Sequence, residues 1–145
     1  MSLVTDIAKS VVAELNKHTF SLRFESIFSV RPGFELAELE TLRVIVVPKT
    51  LEIETASRAS SKYLVSVDVG IMQRIGKMTP EEAVESLGDF VDELIEFLKT
   101  KTLDEFPAAQ CIAVSNDPIY VPDHLTQQRT FTSVLTVQYL FLGNR

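Results

Sequence analysis

Few residues in this chain have the type and spacing to do chemistry. Its two histidines, His18 and His124, stand at a predicted helix end and in a proline-flanked stretch, and neither has a Cys or second His at ligand spacing. Isolated imidazoles of this kind are more often solvated or locally bonded than metal-bound. Cys111 is the single cysteine, so no internal disulfide or cysteine-based zinc site can form; within the apolar run QCIAV it reads as a buried free thiol, which fits a reducing compartment. Asp68, on the polar side of a predicted strand, together with Glu52 and Glu54 is the one carboxylate set that would suit a divalent metal of the nuclease type. That chemistry also needs a lysine beside the second carboxylate and a basic approach surface. The chain has 14 basic against 20 acidic residues, a net charge of -6, which also argues against gripping nucleic acid. No G-x-S-x-G, H-E-x-x-H, P-loop or G-x-G-x-x-G sequence is present, and only five glycines are available for phosphate-cradling loops. We therefore assign no catalytic, cofactor-binding or metal-binding residue and expect a protein that is not an enzyme.

The elements that would position any site are better written. From Thr79 to Lys101, Ala83, Val84, Leu87, Phe90, Val91, Leu94, Ile95 and Leu98 recur at three- and four-residue steps, which gathers them on one side of a helix. Thr79 is the predicted N-cap, Pro80 the first helical residue and Glu82 the capping-box partner, with Lys99 and Lys101 at the negative end of the dipole. Leu3, Val4, Ile7, Ala8, Val11, Val12 and Leu15 form a second stripe, capped by Ser2 and ended at Asn16-Lys17-His18. No apolar run approaches membrane-spanning length, and the N-terminal stretch is amphipathic rather than a signal peptide's unbroken apolar core.

Between and after these helices the period changes to two. Ser21 to Val30 reads as a half-exposed strand with Leu22, Phe24, Phe28 and Val30 on one side, and the segment from Pro32-Gly33 to Glu40 as a loop. Leu42 to Val47 (LRVIVV), β-branched on both sides, predicts a central or doubly covered strand whose pairing Pro48 ends. Lys62 to Ile75 alternates cleanly, with Tyr63, Val65, Val67, Val69 and Ile71 inward and Lys62, Ser66, Asp68, Gly70 and Arg74 wet. Leu103 to Ala109 is a linker, Gln110 to Val114 a short strand, and Ile119 to Pro122 an extended edge segment. Arg129 to Leu142 is a long final strand with Phe131, Leu135, Val137, Tyr139 and Phe141 inward. The expectation is one α+β domain over residues 1–145, a mainly antiparallel β-sheet with two amphipathic helices packed on one face.

The run NDPIYVPDHLTQQRTFTSVLTVQYLFL, from Asn116 to Leu142, with the segment Val44-Ile45-Val46-Val47-Pro48-Lys49 and the N-terminal and central helices, resembles small proteins encoded among head and tail morphogenesis genes of long-tailed phages. The order of elements is similar to that of the tail terminator, or tail completion, family. That resemblance implies an α+β subunit of a six-membered ring, placed in the virion neck after synthesis in the host cytoplasm. It implies the tail tube protein and head-connector or neck proteins as partners, with DNA passing through the channel without specific binding and no membrane. The resemblance carries no catalytic residues and no cofactor. Other neck, head-closure or tube components share these features, and the residue patterns alone also suit a cytoplasmic non-catalytic binding or adaptor module.

The polar stretch from Lys49 to Ser61 (KTLEIETASRASS) is longer than a tight hairpin requires and reads as an excursion from the sheet, mobile until it docks. Leu51 and Ile53 would insert into a neighbouring apolar groove, Arg58 would meet an acidic partner, and Glu52 and Glu54 complete the expected subunit or partner interface.

Overall fold

The computed structural model describes residues 2–30 and 40–143. Leu3–Lys17 form α1, in which Leu3, Ile7, Ala8, Val11 and Leu15 are buried as their spacing requires. The Ser2 hydroxyl accepts from the Thr5 amide at 3.3 Å and so satisfies one donor of the first turn. Pro80–Thr100 form α2, entered at the N-cap Thr79, whose hydroxyl accepts from the Glu82 amide at 3.2 Å, and left at the C-cap Lys101. Both helices therefore start and stop where their caps predict. Among the described residues, no helix is long and apolar enough to cross a membrane.

Five strands form one mixed sheet in the order β1-β2-β3-β5-β4, where β1 is Glu25–Phe28, β2 Arg43–Thr55, β3 Ser61–Arg74, β4 Gln110–Asn116 and β5 Thr130–Gly143. β1 runs parallel to β2 and the other pairs are antiparallel, so the protein has an α+β fold with a mostly antiparallel sheet. Inward residues Val44, Val46, Tyr63, Val65, Val67, Val69, Ile71, Leu135, Val137 and Tyr139 join the apolar sides of α1 and α2 in one core. Both long helices lie on that face.

Four sequence expectations change. The first strand is shorter than Ser21 to Val30 because its beginning is held by α2 instead: the Ser21 amide and hydroxyl donate to Glu93 Oε1 at 2.9 and 3.0 Å, and Phe20 and Phe24 stack edge-on against Phe90. Pro48 does not end pairing. The register of β2 with β3 shifts between Pro48 and Thr50, and the ladder then continues to Thr55↔Ser61; a bulge is where a strand tolerates a proline that cannot donate. The segment from Ile119 to Pro122 is not an edge strand: β4 ends at Asn116, and Pro122 opens a short helix, α3 (Pro122–Gln127), that contains His124 and buries Leu125. The outer side of β3 is only partly wet. Gly70 is buried there because Ile45 lies across it, so close that an added Cβ would stand 3.0 Å from Ile45 Cγ1; Ile45, Met72 and Val47 make a small second cluster. Residues 31–39 of the predicted loop lie outside the described residues.

Two tight features set the ends of the long strands. Gly76 turns the chain out of β3 with φ of 59°, a conformation glycine adopts without strain. Arg129, itself at φ 49°, donates to the Gly76 and Met78 carbonyls at 2.6 and 3.0 Å and clasps that turn to the start of β5.

Phe90 and Leu94 are 1% and 0% exposed at the centre of the helix–sheet contact. Replacing either by Ala should cost about 2 to 5 kcal/mol, read from chemical denaturation midpoints. Unchanged midpoints for both would contradict this packing.

Candidate interaction surface

The chemically able side chains do not converge. Asp68, on the sheet face away from the helices, lies 3.6 Å from the Lys49 ammonium and accepts from Thr136 Oγ1 at 2.7 Å. Glu52 pairs with Leu64 and Glu54 with Lys62, which sets them about 13 Å or more along the strands from Asp68. One metal ion cannot span that separation, and no group of three or more His, Cys, Asp or Glu side chains gathers among the described residues. The His18 ring packs between Phe20 and Phe97, each with centroids 4.6 Å away. His124 Nδ1 is 3.0 Å from Thr132 Oγ1. The Cys111 thiol is half-buried, and burial raises its pKa against the smaller opposing effect of the Ala113 carbonyl, which makes it a poor nucleophile.

One buried carboxylate escaped the sequence reading. Glu14, on α1, accepts from the Asp104 amide at 2.8 Å through Oε2 and has the Lys101 and Lys17 ammonium groups at 3.7 and 3.8 Å. Asp104 returns to both lysines at 3.6 and 3.5 Å, so the four side chains tie the end of α1 to the connection between α2 and β4. A glutamate beside an apolar stripe looks like any solvated helix residue until the connection folds over it. The Tyr139 hydroxyl lies buried without a hydrogen-bond partner among the described residues. Burial first, then the Cys111 and Glu14 charges, hold its pKa well above the usual phenol range, and it stays neutral.

What the fold does present is a set of sheet edges in contrasting states. β1 is only four residues long, and α1 seals its outside: Asn16 Oδ1 accepts from the Ser26 amide at 2.8 Å, Asn16 Nδ2 donates to the Ser26 carbonyl at 3.1 Å, and Ser26 Oγ donates to the Val12 carbonyl at 3.2 Å. An amide side chain thus replaces a neighbouring strand. The distal half of β2 has no such cover among the described residues, because β1 pairs only with Arg43–Val46 and its last tie is the Ser29 amide to the Val46 carbonyl at 3.0 Å. At the opposite margin β4 pairs, among the described residues, with β5 alone. It is uncharged throughout, QCIAVSN, with Ile112 raised at a bulge and 45% exposed. Long uncharged edges are the ones that recruit another strand.

The predicted interface residues fall on the open half of β2. Leu51, Glu52, Ile53 and Glu54 are strand residues and Arg58 sits in the loop that joins β2 to β3, so the stretch from Lys49 to Ser61 is not an excursion that waits to fold. The loop is closed by the Ser57 and Ser60 hydroxyls at 2.8 Å and by Ala56 and Ser57 amides donating to the Ser60 carbonyl. Leu51 and Ile53 point to the helix side, opposite Val65 and Tyr63, but at the rim of the core, where they remain 42% and 59% exposed. All five residues are exposed; the strand brings four of them into one arm.

The fold and this surface define an α+β protein with one helix-covered sheet face and, among the described residues, one sealed edge and two open edge segments. No family model matches the chain, and no curated protein matches it. Among solved structures 28 chains match; one, which bears no functional name, is 17% identical over 93% of this chain and 89% of its own, with a TM-score of 0.50. That likeness shows the fold alone.

Replacing Asn16 by Ala would strip the Ser26 amide and carbonyl of their partner in a part-buried setting. The expected loss is about 1 to 3 kcal/mol in denaturant unfolding. A loss below about 0.5 kcal/mol, the range of surface substitutions, would show that water replaces the amide without cost.

Proposed function

We propose that this chain is a structural subunit of a phage neck: a tail terminator or head–tail joining protein that assembles into a ring, caps the tail tube and meets the head connector. The observation that carries the reading is the open arm of β2. A strand with two rim-exposed apolar side chains, Leu51 and Ile53, and a backbone edge that nothing covers among the described residues is a surface suited to being received by another protein surface. The resemblance of the Asn116–Leu142 run and of the Val44–Lys49 segment to tail-morphogenesis proteins supplies the kind of assembly. A ring follows when identical subunits join through two different patches and the rotation closes. With a net charge of -6, a subunit of this kind lets DNA pass by repulsion rather than holding it.

Deleting Lys49 to Ser61 would be a poor test, since it removes the strand that pairs with Ser61–Ser66. Charge at the rim is cleaner. The double substitution Leu51→Asp with Ile53→Asp should change the unfolding free energy by only about 1 kcal/mol. It should abolish assembly, read as a loss of oligomer mass by light scattering and a loss of infectious particles on complementation. Wild-type-like assembly by this variant would remove the arm from the reading. A purified wild-type particle with no copy of the chain at its neck would overturn the function itself.

A further inference from the structure

The registers of the sheet allow the receiver of the arm to be named. Reading straight across the ladder, Gln110 of β4 is level with Leu140, Leu64 and Glu52, and Ser115 is level with Thr136, Asp68 and Val47. Asn116, the last residue of β4, is level with Leu135, Val69 and Val46, where Val46 is the last residue that pairs with β1. β1 therefore covers β2 up to the level of Asn116, the last residue of β4, and among the described residues no strand pairs with the outer side of β2 level with the rest of β4. The two margins of one molecule have complementary steps.

We propose that the outer edge of β4 receives the open half of β2 from a second copy of this chain, so that the sheets of successive copies join head to tail. The inference rests on the ring reading above and assigns its subunit contact. Strand direction agrees with a continuous sheet, because β2 opposes β3, β3 opposes β5 and β5 opposes β4, which makes β4 antiparallel to β2. Side-chain alternation agrees as well. A level join sets the helix-side Leu51 beside the helix-side Cys111 and carries Ile53 one step past Gln110, into a groove of about 460 Å³ between the end of α2 and the approach to β4. Pro107, Ala108, Ala109 and Cys111 line it from the approach to β4, and the end of α2 contributes Lys99, Thr100 and Lys101. Neither edge presents a charge at the inner positions of the join, and backbone groups that have no partner strand among the described residues gain one. The sealed edge of β1 cannot compete, since Asn16 already occupies it.

The test uses the full chain in a Cys111→Ser background, with Glu52→Cys and Gln110→Cys introduced separately and together. Both positions are exposed, and the level join makes them neighbours across the contact. Treated with a short bis-maleimide that tolerates a two-residue slip, the chain with both substitutions should give a ladder of covalent oligomers ending at a closed species. Each single variant should stay uncrosslinked, and an equimolar mixture of the two should stop at dimer. Dimers from Glu52→Cys alone would mean a two-fold contact through the arm and would overturn the proposal. Oligomers by light scattering with no ladder would place the contact elsewhere while the ring reading stands. Monomers at every concentration with no ladder would count against both.

Discussion

The pairing of β3 with β5 is the constraint on which the rest of the molecule depends. Every residue from Ser61 to Arg74 has a partner between Thr130 and Gly143, so two strands far apart in sequence form a single unbroken spine. Because side chains alternate, that spine must send Tyr63, Val65, Val67, Val69, Leu135, Val137 and Tyr139 to one side, and a register slip of one residue would turn all of them to the other. The two amphipathic helices cover that apolar face, α1 toward β1 and β2, α2 toward β5 and β4. Coverage by two helices leaves the margins of the sheet to be dealt with separately.

Polar side chains deal with some of these margins and not others. Asn16 seals β1, Arg129 clasps the turn after β3, and the Asn116 amide donates to Ser133 Oγ and the Val134 carbonyl at 2.9 Å where the chain leaves β4. Glu14 with Lys17, Lys101 and Asp104 closes the end at which α1 meets the α2–β4 connection. Most of these clasps join different elements, so the cost of burying their charges or amides is offset only in the folded chain. The outside of β4 and the distal half of β2 have no comparable device among the described residues. Where other edges are sealed by side chains, these two edges at matching levels are the physical ground of the proposed assembly.

The helices and the inward faces of β3 and β5 were legible from the sequence because each is a local pattern with local punctuation. Thr79-Pro80 and Ser2 mark helix starts through bonds within one turn, and alternation from Tyr63 to Ile71 needs no knowledge of what it packs against. The arm is illegible in the sequence for a physical reason. Leu51 and Ile53 alternate with Glu52 and Glu54 as a half-buried strand should, but a proline signals the end of pairing, and only the bulge at Pro48/Thr50 lets the ladder continue past it. Its serines belong to a compact loop rather than to a disordered stretch.

What the sequence determined by itself was the α+β class, the placement of both long helices and the faces that meet in the core, since all of these follow from periodicity and capping within one segment. Only the tertiary structure decided the parallel pairing of β1, the burial of Glu14, the Asn16 seal and the step that sets β4 level with the open half of β2. These depend on which segments become neighbours across the sheet, and no residue pattern within a single segment carries that information.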